Sequence, residues 1–188
     1  QERPVLAIDI GGTKIAMAII SEQGEVIARQ TQPTLAGEGP QAVIERLFYG
    51  IDRLLKEGNL LPSQLSAISL ATAGVIDIRN NLVTTSPNLP GWQNVPLRSI
   101  VAEKYKRPTY LLNDADAAAL GEHGFGAGRR LNSLILLTLG TGIGGGIIIN
   151  SRLYLGSTGS AAEIGHMVID VNGPVCKCGR SGCLEELA

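Results

Sequence analysis

The chain of 188 residues has a net charge of −1, from 16 basic and 17 acidic side chains, and 44% of it is apolar. That balance allows a full hydrophobic core and provides no electrostatic footprint for nucleic acid or for an acidic membrane face. No apolar run approaches the roughly 20 residues of a membrane span, and no signal-peptide pattern opens the chain, so it reads as cytoplasmic. The first residue is Gln1 and residues 183–188 read as a helix only begun, which points to a fragment of a longer protein.

In chain order, residues 5–10 are an apolar run ended by Gly11-Gly12, and residues 15–20 form a second run. Together they predict a β-hairpin whose turn is Gly-Gly-Thr-Lys, and residues 26–30 predict a third strand. Between residues 41 and 57, Val43, Ile44, Leu47, Phe48, Ile51, Leu54 and Leu55 recur at helical spacing, with Gly58 as the stop. A buried strand is expected over 67–71, a helix over 97–105, a strand over 109–112 and a helix over 115–122. The pattern then restarts with a strand over 134–139, a glycine-rich turn over 140–146 and a strand over 147–150. This order predicts an α/β fold with a mixed sheet covered by helices. The repeat of strand, glycine turn and strand predicts two related domains facing one another, 1–128 and 129–188, the second incomplete.

Glycine is the compositional outlier, at 24 residues, and it gathers where backbone must turn sharply or approach a ligand. In Asp9-Ile10-Gly11-Gly12-Thr13-Lys14, the N–H groups of Gly11 and Gly12 can converge on a phosphate. Thr13 adds a hydroxyl, Lys14 a charge, and Asp9 a carboxylate able to hold Mg²⁺ through water. An ordinary hairpin turn is the competing reading. The second run holds Gly140, Thr141, Gly142, Gly144 and Gly145, and Gly146 beside them. Such glycine density is costly in conformational entropy for a plain turn, and a strand follows where a dinucleotide site needs a helix. The two turns together read as a clamp for the polyphosphate of ATP.

Asp114 stands where a strand ends and a helix begins. It can be an N-cap, the general base that takes a proton from an attacking hydroxyl, or both. His166, Cys176, Cys178 and Cys183 offer one imidazole and three thiols, and an odd number of cysteines in a reducing compartment argues against disulfides. The set fills a closed, structural Zn²⁺ site. His123 has no such company and reads as a surface helix residue.

These segments resemble the ROK family of sugar kinases and repressors, within the actin-like ATPase superfamily. The resemblance runs from Val5 to Ala188. Its most specific piece is Glu163-Ile164-Gly165-His166 followed by Cys176-Lys177-Cys178-Gly179-Arg180-Ser181-Gly182-Cys183-Leu184-Glu185. It implies the two-domain actin-like (ribonuclease H-like) fold with the second domain truncated, both phosphate turns, Asp114 as base, zinc on the four ligands above, and a homodimer at full length. It also implies that Asn88, Asn113, Asp114, Glu163, His166 and Glu185 line a sugar pocket. Carboxylates and amides at fixed positions suit that work, because adjacent hydroxyls both donate and accept. One departure is the Ala71-Thr72-Ala73-Gly74-Val75-Ile76-Asp77 stretch, which stands where family members often carry a Pro-Gly.

The expected activity is ATP-dependent phosphorylation of a glucose-like hexose, at the C6 hydroxyl, with N-acetylmannosamine and N-acetylglucosamine as alternatives. The competing class is a sugar-sensing repressor of the same family. It would carry a helix-turn-helix region before the first glycine turn, where this sequence has residues 1–4.

Overall fold

The computed structural model describes residues 3–140 and 142–188, and the chain divides into two compact units, 1–114 and 115–188. Unit one is built on a five-stranded sheet of β1 (Val5–Ile10), β2 (Lys14–Ile20), β3 (Val26–Pro33), β4 (Ala67–Thr72) and β8 (Thr109–Asn113), in the order β3-β2-β1-β4-β8. β1, β2 and β3 run as an antiparallel meander, whereas β4 lies parallel to β1 and β8 parallel to β4. Alternation sets the buried face: Leu6, Ile8 and Ile10 of β1, Ile15, Met17 and Ile19 of β2, and Ile68 and Leu70 of β4 all enter the core.

Helix α1 (Pro40–Glu57) covers that face with Val43, Ile44, Leu47, Ile51, Leu54 and Leu55. Pro40 occupies the first turn, where a missing N–H does no harm, and the Gly58 N–H closes the other end on Leu54 O at 2.9 Å. Helix α2 (Leu97–Tyr105) buries Leu97, Val101 and Tyr105 at four-residue intervals and ends on Lys106 in the left-handed region. A small antiparallel sheet of β5 (Val75–Asp77), β6 (Leu82–Thr85) and β7 (Gln93–Val95) was not expected from the sequence. Its strands are too short for alternation to register, but its first turn follows from Asp77, whose Oδ1 accepts the N–H groups of Arg79 and Asn80, each at 3.0 Å.

Unit two holds most of α3 (Asp114–Phe125) and an antiparallel sheet of β9 (Leu134–Leu139), β10 (Ile143–Ile149) and β11 (Arg152–Leu153). A 3₁₀ turn at Ile164–His166 and the short helix α4 (Leu184–Leu187) follow. The division falls at 114/115 and not at the expected 128/129, because α3 packs on β10. A Cβ on Gly144 would lie 3.1 Å from Ala115 Cβ, and one on Gly146 would lie 2.5 Å from Ala119 Cβ. The glycine run is therefore not all turn. Gly144, Gly145 and Gly146 belong to the strand, where the missing side chains of Gly144 and Gly146 admit the helix. Gly146→Ala should cost about 1–3 kcal/mol through overpacking, measurable as a lower urea midpoint at unchanged slope.

Candidate functional site

The first candidate cluster forms where three parallel strands of unit one end level with one another. Ile10 pairs with Thr72 and Thr72 with Asn113, so the segments that leave β1, β4 and β8 emerge side by side at the carboxyl edge. Ligands of open α/β sheets collect at this edge. The turn after β1 is held firmly. Gly11 N–H donates to Lys14 O at 2.9 Å, and the Thr34 hydroxyl, fully buried, donates to Gly11 O at 2.6 Å while its N–H donates to Thr13 O at 2.9 Å. Thr72 Oγ1 ties the neighbouring strands by donating to Ile10 O at 3.2 Å.

Asn88 arrives from the segment between β6 and β7 and rests on the turn. A Cβ on Gly12 would lie 2.7 Å from Asn88 O and 2.9 Å from Asn88 Cβ, so only glycine admits this approach. Burial of Leu89 and Trp92 anchors the segment that carries it. Asn113 Nδ2 donates to Gly74 O at 3.1 Å, which joins the end of β8 to the turn after β4. Asp114 follows at the first position of α3, open to solvent.

The charge of Asp114 reaches Asp9. Crowding by the surrounding protein raises the Asp9 carboxyl above its ordinary 3.8, the negative charge of Asp114 adds to the rise, and the ammonium of Lys14 opposes it. A raised carboxylate costs stability at neutral pH: the folded chain holds the proton more tightly than the unfolded one, so stability falls as pH climbs through the raised value. Asp9→Asn should therefore raise the melting temperature at pH 7 by about 1–3 °C, a small gain because solvent screens the pair. The gain should vanish below pH 3.8, where both states are protonated, and thermal melts at the two pH values check it.

The second cluster lies wholly in unit two. Leu139 pairs with Ile143 across the turn, and Gly140 N–H donates to Gly142 O at 3.0 Å. Thr141 lies outside the described residues. Glu185, on α4, accepts from the Ile143 N–H at 2.7 Å and its carboxylate stands against Gly142. Gly144 and Gly145 sit away from the turn: the first packs on Thr138 and Ala115, the second on Ala162 O and Ile164. Glu163 is exposed just before the 3₁₀ turn, where its carbonyl accepts from His166 N–H at 3.0 Å, and Ala162 before it takes the left-handed φ of 67°. His123 bonds Leu131 O at 3.0 Å, a local tie within the unit.

The third cluster gathers one ligand atom each from His166, Cys176, Cys178 and Cys183, all within 4.8 Å of one another. A tetrahedral zinc ion with ordinary bond lengths sets S···S at about 3.8 Å and S···N at about 3.6 Å. The Cys178 and Cys183 sulfurs are 3.6 Å apart, and Cys176 Sγ is 3.6 Å from His166 Nδ1, so the four residues fit the ion. Without a cation the thiols diverge: the Arg180 backbone N–H draws Cys178 down to about 6, and burial pushes Cys183 up to about 12. A divalent cation would take both as thiolates.

A depression of about 350 Å³ lined by Asp52, Leu55, Lys56, Asn59, Leu60 and Pro62 lies at the end of α1 and contains none of these residues. Among the described residues no helix is long and apolar enough to cross a membrane.

A meander that continues into parallel strands, with the strand-end turns carrying the polar residues, is the α/β architecture of actin-like ATPases. The *Streptomyces griseus* glucokinase, solved in complex with glucose and AMPPNP, superimposes with a TM-score of 0.84 at 34% identity, covering 98% of this chain and 57% of that one. The ROK family profile matches residues 5–188, and the chain belongs to the ROK family. The *Thermotoga maritima* glucokinase is 40% identical over 98% of this chain and 56% of its own length. The xylose repressor of *Caldicellulosiruptor bescii* is 39% identical over 98% of this chain and 46% of its own length. The chain thus spans about half the length of the relatives it matches.

Proposed function

We propose that this chain is the part of an ATP-dependent hexose kinase that carries the base, the phosphate turns and the sugar-binding residues. The observation that carries the reading is the placement of Asp9, the 11–14 turn, Asn88 and Asp114 at the level ends of β1, β4 and β8. A glucokinase of the same fold binds glucose and AMPPNP, which supports the ligand classes.

In this reading Asp114 accepts the proton of the sugar's C6 hydroxyl as that oxygen attacks the γ-phosphorus, and ADP leaves in line. Asn88, Asn113, Glu163, His166 and Glu185 orient the sugar. The Gly11 N–H, expected to face a phosphate, is spent on Lys14 O and the Gly140 N–H on Gly142 O, which leaves the N–H groups of Gly12 and Gly142, with Lys14, to receive phosphate oxygens. Phosphoryl transfer depends chiefly on such positioning and charge. Mg²⁺ held through Asp9 would neutralise the polyphosphate, and zinc on His166, Cys176, Cys178 and Cys183 would be structural. A coupled ADP-release assay of the full-length protein against glucose, N-acetylglucosamine and N-acetylmannosamine tests the reading. Sugar-dependent ADP release is expected, with glucose preferred, and its absence for every hexose would refute it.

The near-equal identity of the xylose repressor favours a second reading, a sugar sensor without catalysis. The same assay separates the two, because a sensor binds sugar without releasing ADP.

A further inference from the structure

The candidate zinc knot touches the second glycine turn through both polar atoms of a single residue, Ile143, which opens β10 directly after the turn. Its N–H donates to Glu185 Oε2 at 2.7 Å, and the same carboxylate stands over Gly142. Its carbonyl oxygen faces Gly165 so closely that no Cβ fits between them. Glu185 lies two positions after Cys183, and Gly165 one before His166. Both contacts are therefore placed by metal-ligand segments. Their alignment is fixed by Leu184 N–H on Met167 O at 2.9 Å and by the Val168–Cys183 bridge.

Between β9 and β10 the Gly140 N–H on Gly142 O closes the connection, and glycine at both positions leaves the backbone there many alternatives. A hydrogen bond to an ionised carboxylate is among the stronger restraints available, and here the carboxylate comes from a fixed segment. We propose that Glu185 is a positioning residue for the second glycine turn. It holds the Gly142–Ile143 peptide in the form that receives the nucleotide's phosphates, so that the order of the zinc knot is felt at the nucleotide. The nucleotide half of this inference rests on the kinase reading. The proposal goes beyond the sugar contact assigned to Glu185 above, because it gives the same side chain a role toward ATP.

The test uses the zinc-loaded full-length protein and the variants Glu185→Ala and Glu185→Gln. It measures amide exchange at Ile143, affinity for MgATP and for glucose, and zinc content. Loss of one such hydrogen bond corresponds to about a tenfold change. Glu185→Ala should speed Ile143 exchange and weaken MgATP binding by about that factor while zinc content is unchanged. Glu185→Gln, whose amide oxygen still accepts from the N–H, should restore both even if glucose affinity stays low. Unchanged exchange and unchanged MgATP affinity in Glu185→Ala, with only glucose binding lost, would overturn the proposal. If the wild-type protein binds no MgATP, the kinase reading and the nucleotide half fall together, and the exchange rate still decides whether Glu185 holds the turn.

Discussion

Asp114→Asn in the full-length protein is expected to reduce turnover by a factor of about 10² to 10⁴ while leaving the fold and MgATP affinity as they are. The reason is local. The substituted side chain keeps its shape and its place at the start of α3, and asparagine serves a helix start as well as aspartate does. What it loses is the capacity to take a proton. In the proposed kinase the attacking hydroxyl would then shed its proton to water, while the groups proposed to receive the phosphates keep their places.

A second readout of the same variant is independent of turnover. Because the Asp114 charge helps to raise Asp9, Asp114→Asn should let the Asp9 carboxyl fall part of the way back toward 3.8, observable by NMR titration. A variant that keeps more than a few per cent of its turnover with a normal melt would remove Asp114 from the role of base. An Asp9 titration that does not move would show that the two carboxylates are uncoupled in solution.

The parts of the fold that were legible in the sequence are those whose residues face one large surface. The α1 stripe and the alternating residues of β1, β2 and β4 all report burial against the same core, and periodicity records it directly. Residues 75–95 gave no such signal. Their strands are three or four residues long, and Leu89 and Trp92 between β6 and β7 are buried in the main core, to which most residues come from other parts of the chain. Hence Asn88 could be named only by resemblance, and its rest against Gly12 came from the structure. Thr34, which ties down the first turn, carried no local mark at all.

The glycine run taught the opposite lesson. Its density suggests a phosphate turn, yet Gly144, Gly145 and Gly146 are spacers that let α3 and the 162–164 segment lie against β10. Composition reports that backbone is approached closely, and does not say by what. The gathering of His166, Cys176, Cys178 and Cys183 was legible because its mark is chemical, three thiols and an imidazole in a short stretch, and needs no distant partner to be recognised.

That chemistry leads to the second large effect. Removing zinc with a chelator, or replacing Cys176 by serine, should unfold residues 164–188 while unit one keeps its melting behaviour. Within this stretch only Gly165, Cys176, Gly182 and Cys183 are buried, whereas Met167, Val168, Ile169, Val171 and Val175 are exposed. The segment therefore has no hydrophobic core to fall back on. Structural zinc supplies about 10–16 kcal/mol in small zinc-dependent peptides, far more than the backbone hydrogen bonds, isolated bridges and short helical turns of this stretch supply on an exposed segment. Limited proteolysis of the metal-free protein should cut between residues 167 and 187, with unit one surviving as a resistant fragment built on its own core. On the proposed reading, sugar and nucleotide binding should fail together, since His166, Glu163 and Glu185 all hang from this stretch or its edge. A metal-free protein that resists the protease there as well as the zinc-loaded one would mean that the backbone holds the knot unaided, and the ion would then have to be given a different task.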